Sequence, residues 1–318
     1  MIVDKDLFFE IQSKMDFISY DQARGFHDFT DENQIVYFVD DINKPQICTW
    51  GVKEKKFKFL SILTIRGESF KKGVTYKDYK IFYSQIIKES SKYNMINIVN
   101  NNQYSIDFEL GIRLAGFIRP MAFFDSPLSI IVDLNKENIR KRQWKRQLKA
   151  ANNNNLIFKH INHPTENDIN IFINMYHELL DRKALRSNIN AKKLNNLLLD
   201  DNYHLFFVLK DNLYLCGRII YINDENSYDV YAANSNKAIE YKGTTYFMLE
   251  SIFDFLKANG VKKFDFGRIG IGKNNSVAEF KSYSGGDIVN YNSSWEYCNN
   301  KVLSSLLSVI RNFRSNRY

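Results

Sequence analysis

The sequence predicts an α/β protein with mixed sheets, divided into two similar-sized domains, and three observations lead there. At 318 residues the chain exceeds the size at which one hydrophobic core stops growing, so two domains of about 150 residues are expected. Apolar residues make up 44% and aromatic residues 15%, with 19 Tyr and 25 Phe. That is enough to fill two cores, and it excludes a disordered chain. The third observation is an order of elements, strands then a helix then a strand, that occurs once in each half.

In the first half, residues 34–39, 47–52 and 57–65 are rich in β-branched and aromatic side chains. Turn formers such as Asp40-Asp41-Ile42-Asn43-Lys44-Pro45 separate them, so they read as an antiparallel meander. Between Tyr76 and Tyr93 the period changes to helical, with Tyr79, Phe82, Tyr83, Ile86 and Ile87 three and four apart. A strand is predicted at 95–99, a helix at 106–115 with Gly116 as its stop, and strands at 118–124 and 128–134.

The second half repeats the order. Helices are predicted at 166–180 and 191–199, and strands at 205–209, 213–222 and 227–232. A long helix over 244–258 places Leu249, Ile252, Phe253 and Leu256 on one face and ends at Asn259-Gly260. A strand over 262–266 follows. The asparagine run at 152–155 is the expected boundary, giving domains 1–153 and 154–318.

The first residues are acidic where a signal peptide has basic ones, and no stretch approaches the roughly 18 apolar residues of a membrane span, so a cytoplasmic protein is expected. Cys48, Cys216 and Cys298 lie far apart without metal-site or redox spacing and read as reduced thiols. A net charge of +8 fits phosphates, nucleic acid or anionic lipid as partners, and equally fits compositional drift.

Between Asn135 and Ala151 a predicted helix carries Arg140, Lys141, Arg142, Lys145, Arg146 and Lys149 around an apolar stripe of Ile139 and Leu148. Such a face grips phosphates or RNA, or is simply solvated. Trp144 among the cations favours contact with a base or a lipid headgroup. Gly267 to Lys273 nearly spells a phosphate-binding P-loop. Asn274 replaces its last hydroxyl residue, and only about 45 residues remain for the sheet that should follow. His160 and His163 lack a third ligand, so no metal is expected. No nucleophile motif or carboxylate pair stands out, so the chemistry expected needs no covalent nucleophile.

Several blocks carry a resemblance. In the first half they are Ile65-Arg66-Gly67, Leu114-Ala-Gly-Phe117-Ile-Arg119, Ser126-Pro127 through Asp133-Leu134, and the basic helix. In the second half they are Tyr176 to Arg182, Tyr228-Asp-Val-Tyr231-Ala232-Ala233, Asn259-Gly260 through Phe264-Asp265-Phe266-Gly267, and Val277-Ala-Glu-Phe280-Lys281 to Gly285-Gly286. Over most of its length the chain resembles the FemABX aminoacyltransferases and their GNAT-superfamily relatives, which extend peptidoglycan precursors or acylate amines in bacterial surface-polymer synthesis. The family's Trp-containing N-terminal block and long helical hairpin are not evident, which favours a smaller acceptor such as a nucleotide-linked amino sugar.

The resemblance implies two tandem GNAT-like domains, with the active site in the second. It implies transfer from acyl-CoA or aminoacyl-tRNA, with no permanently bound cofactor, onto an amine of a peptidoglycan precursor or nucleotide-linked sugar at or near the inner membrane surface. Lys281 would stabilise the oxyanion and Phe280 would shape its pocket. Arg182, Lys242, Gly243 and Arg268 would contact phosphate, Gly243 at a helix start where GNAT domains bind the donor pyrophosphate. Tyr231 and Asp265 would contact substrate, although a carboxylate at a strand end more often satisfies backbone donors. Two other readings stay open: a non-catalytic platform for phosphate or nucleic acid, and a membrane-peripheral protein using the amphipathic tail from Val302.

Overall fold

The structure, a computed structural model, describes residues 1–56, 60–120, 128–137, 139–183, 189–269, 276–300, 302–305 and 309. The chain opens with β1 (Ile2–Val3), α1 (Lys5–Gln12), β2 (Phe17–Ile18) and α2 (Arg24–Asp28), followed by β3 (Ile35–Val39), β4 (Ile47–Lys56), β5 (Leu60–Arg66) and β6 (Ser69–Phe70). Then come α3 (Tyr76–Glu89), β7 (Met95–Gln103), α4 (Ile106–Leu114), β8 (Leu128–Asp133), α5 (Arg142–Asn152) and β9 (Ile157–Ile161). The rest runs α6 (Glu166–Arg182), α7 (Ala191–Leu198), β10 (Tyr203–Lys210), β11 (Leu213–Asn223), β12 (Asn226–Asn234), α8 (Thr244–Ala258), β13 (Lys263–Arg268), α9 (Ser276–Ser282) and β14 (Asp287–Cys298).

Packing divides the chain into two interleaved compact units: Met1–Leu128 with Arg268–Asn275 and Val289–Tyr318, and Ser129–Gly267 with Ser276–Ile288. The single boundary expected at 153/154 differs from this. β8 and α5 pack with the second unit, and β14 returns to the first, so chain order alone does not separate the cores.

In the first unit the strands run β1-β3-β4-β5-β7-β14, antiparallel except for β5 with β7. Tyr79, Phe82, Tyr83 and Ile86 of α3 pack on Leu63, Ile65, Ile96 and Ile98. A capping box of Thr75 and Asp78 starts the helix by satisfying its first amides. It stops at Glu89, short of the expected 93, where Ser90 closes the last turn on the Ile86 carbonyl.

In the second unit the order is β8-β13-β12-β11-β10-β9. Strands β9 to β12 are antiparallel, and α8 leads into β13, which is parallel to β12. The succession of meander, helix, parallel strand and helix thus occurs in both units. Met248, Leu249, Ile252, Phe253 and Leu256 of α8 are all fully buried, and each such side chain contributes about 1.5–3 kcal/mol. The basic helix begins only at Arg142, because Asp133 draws the amides of Asn135 and Lys136 into a turn and the Lys141 amide bonds the Tyr283 carbonyl.

Candidate active site

Strands β12 and β13 pair only from Asn226–Lys263 to Tyr228–Asp265, although β12 continues to Asn234. The register of β12 against β11 shifts between Ile219 and Ile220, leaving Val230 as an extra residue. Such a bulge bends a strand and increases its twist. Beyond the last pair lies a cavity of about 400 Å³. Asp229, Val230, Ala232 and Asn234 of β12 line one side, with Phe266 of β13 and Arg218 of β11. Thr245 and Tyr246 bring the first turn of α8 to it, where the helix dipole is positive. Leu179 and Lys183 come from the end of α6, and Ser276, Val277, Phe280 and Lys281 from α9.

Lys281 reaches back to the strand end: its Nζ donates to the carbonyls of Phe266 at 2.7 Å and Gly267 at 3.2 Å. Burial lowers its pKa from the ordinary lysine value. The negative charges of Asp229 and Asp265 oppose that shift, and Arg218 adds to it. Phe280, one residue earlier, stacks on Trp144 with centroids 5.6 Å apart and meets Tyr246 edge-on at 5.0 Å. It therefore shapes the cavity and packs into an aromatic cluster at once.

Arg218 and Asp229 form an ion pair with both side chains 8% exposed. Arg218 Nη1 donates to Asp229 Oδ2, while Asp229 Oδ1 has no hydrogen-bond partner among the described residues. Sequence reasoning missed both residues. The available signal was a lone cation in the apolar run Leu213–Asn223, since a charge in a buried strand needs a partner.

Of the other expected contacts, none lines the cavity. Tyr231 packs edge-on to Tyr176 at 6.2 Å. Asp265 is 4% exposed, and its Oδ1 accepts the Gly267 amide at 2.8 Å and faces Ser129 Oγ at 2.5 Å; these contacts fit the backbone-satisfying role. Arg182 is exposed and donates to Asn236 Oδ1 at 2.8 Å, whereas its neighbour Lys183 faces the cavity. Lys242 is exposed, with its carbonyl bonded to Asn154. Gly243 caps α8 at φ 85°, and a Cβ there would lie 2.1 Å from the Gln147 carbonyl, so close approach of α5 demands the glycine. Arg268 belongs to the first unit and donates to Asn101 Oδ1 at 2.6 Å.

Trp144 does not face a base or headgroup. It is fully buried, its Nε1 bonds Glu250 Oε1 at 2.5 Å, and its ring stacks on Phe253 and Phe280. The stripe that α5 buries is thus Trp144 and Ala151 rather than Ile139 and Leu148. His160 sits on β9 with Nε2 3.2 Å from His204 Nδ1. Among the described residues no three His, Cys, Asp or Glu side chains group as a metal site, and no helix is long and apolar enough to cross a membrane. Residues 270–274 of the P-loop-like stretch, 121–124 of the expected strand, and 306–308 and 310–318 of the tail lie outside the described residues.

The sequence matches no protein-family model and no curated protein. The structure is similar to the crystal structure of FemX, with a TM-score of 0.76 at 12% identity, over 97% of this chain and 99% of that one. L-PGS from Bacillus licheniformis gives 0.68 at 13%, over 97% and 96%. A tandem GNAT protein from the clavulanic acid biosynthesis pathway gives 0.54 at 9%, over 93% of each chain. The chain therefore has the FemX-like, tandem-GNAT fold.

Proposed function

We propose that this protein forms amides, moving an acyl or aminoacyl group from acyl-CoA or aminoacyl-tRNA onto an amine. The acceptor is a peptidoglycan precursor or nucleotide-linked amino sugar of bacterial surface-polymer synthesis. The observation that carries the reading is a half-buried lysine, fixed by two carbonyls, on the wall of a cavity where two parallel strands part. The donor brings an activated carbonyl, so the protein has to align a neutral amine against it and stabilise the charge that develops on oxygen. Lys281 supplies that positive charge, Phe280 and Tyr246 form the apolar wall, and the amine proton leaves through the substrate's own groups or water. The first turn of α8 and the exposed cations Lys141, Arg142, Lys145, Arg146 and Lys149 favour a donor carrying phosphate.

Calorimetric titration with acetyl-CoA, longer acyl-CoAs and charged tRNA tests the reading. Micromolar binding of a CoA ester assigns an N-acyltransferase, and binding of charged tRNA alone assigns an aminoacyltransferase. Binding without product from any amine acceptor would instead favour a non-catalytic phosphate platform. With a turning-over donor, Lys281→Ala is expected to lower kcat by about 10² to 10³; near-full turnover in that variant would remove Lys281 from the mechanism.

A further inference from the structure

We infer that Ser129 and Asp265 are positioning residues that build the seat of Lys281. Asp265 is the last residue of β13 paired with β12. Its Oδ1 accepts the amide of Gly267 two residues later, closing a side-chain-bridged turn. Gly267 takes φ 70°, a conformation that glycine adopts without penalty. Ser129 Oγ, on β8, lies 2.5 Å from the same Oδ1 and 2.8 Å from the Gly267 carbonyl, bracing the turn from the neighbouring strand. The two carbonyls inside this brace, Phe266 and Gly267, are the two that accept from Lys281 Nζ.

Satisfying the Gly267 amide stabilises the strand end in its own right. What the pair adds is direction. Two carbonyls held by one turn fix where the ammonium points, and the nearby carboxylate charges help keep it protonated against burial. The sequence offered Asp265 only as a substrate contact or a backbone acceptor, and Ser129 not at all.

The kinetic arm of the test rests on the transferase reading; the labelling arm does not. Full-length wild type, Asp265→Asn and Ser129→Ala are pulsed with acetic anhydride across pH 6–10, and acetylation of Lys281 is quantified by peptide mass spectrometry against the other lysines. Asparagine keeps an oxygen for the Gly267 amide and loses the charge; alanine keeps the charge and loses the brace. Lys281 labelling at neutral pH is expected to rise about threefold in Asp265→Asn, equivalent to half a pKa unit. A rise of similar order is expected in Ser129→Ala as the ammonium leaves its seat. With a productive donor, kcat falls about tenfold at unchanged KM, and neither substitution lowers it further in a Lys281→Ala background. Unchanged Lys281 labelling in both folded variants would overturn the inference. Altered labelling in a protein that turns over no donor would leave the seat standing and defeat the transferase reading.

Discussion

A carboxylate taken fully out of water holds its proton more tightly, and Glu68 in the first unit is such a group. It is 0% exposed and accepts from Tyr83 Oη at 2.9 Å, Asn102 Nδ2 at 3.2 Å and Asn100 Nδ2 at 2.7 Å. Burial outweighs these hydrogen bonds and pushes its pKa up to about 7. The folded protein then binds more protons than the unfolded chain between pH 4.5 and 7, so Glu68 makes stability fall as pH rises through that window. The loss levels off above pH 7 at about 3 kcal/mol. Glu68→Gln keeps the neutral form's shape and removes the titration. Melting curves of both proteins from pH 4.5 to 8 should show the wild type losing stability relative to the variant as pH rises; a constant difference would place the Glu68 pKa near its ordinary value. None of this was legible in the sequence, where nothing singles out Glu68 or the asparagines of 100–102. Lys281 and Phe280, which line the cavity, were singled out in the sequence because they sit in a block that carries the resemblance. Arg218 and Asp229 were not, because their pairing depends on which strands lie side by side.

Helix α8 has a glycine beyond each end, and the two answer different constraints. Gly243 (φ 85°) and Gly260 (φ 80°) both occupy the left-handed region, where a side chain is strained. Around Gly260 no atom lies within 4 Å of an added Cβ, whereas at Gly243 the Gln147 carbonyl would be at 2.1 Å and the Ala151 Cβ at 2.9 Å. Gly260→Ala should therefore cost only the backbone strain, about 1 kcal/mol. Gly243→Ala adds overpacking against α5 and should cost about 2–4 kcal/mol. Urea midpoints for the two variants decide it, and equal losses would mean that α5 yields without cost. The helix itself was readable to its last residue, since a wide apolar stripe with 3.6-residue spacing and a terminal Asn-Gly leaves little choice. Strand β14 was invisible for the opposite reason. Its buried segment Tyr291–Glu296 includes Asn292, Ser293, Ser294 and Glu296, so it lacks the apolar alternation that marks a strand. Trp144 misled for a related reason: a tryptophan among cations looks like a contact residue until the facing aromatic cluster is known.

Across the whole molecule, periodicity identifies elements one at a time but not which core receives a late strand, and this limits how a domain boundary can be read. The expected first domain, 1–153, omits β14, yet that strand completes the first unit. It pairs antiparallel with β7 from Tyr291–Gln103 to Cys298–Met95. It also inserts Trp295, 1% exposed, into the cluster that holds Ile98, Phe108 and Ile112. Without it β7 becomes an exposed edge with unpaired backbone groups, and the cluster loses its largest side chain. Removing a buried Trp alone costs about 3–5 kcal/mol, comparable to much of the 5–15 kcal/mol that stabilises a typical domain. The fragment 1–153 is therefore expected to lack a cooperative thermal transition and to bind a hydrophobic dye. Residues 1–128 joined by a flexible linker to 289–318 regain the strand and should melt cooperatively. Calorimetry of the two fragments is decisive: a sharp melt from 1–153 alone would show that the first core closes without its returning strand and that the linear boundary near 153 is a true domain limit. A sharp melt only from the joined fragment would show that the first core requires β14, so that it is completed only after the residues of the candidate active site have been made.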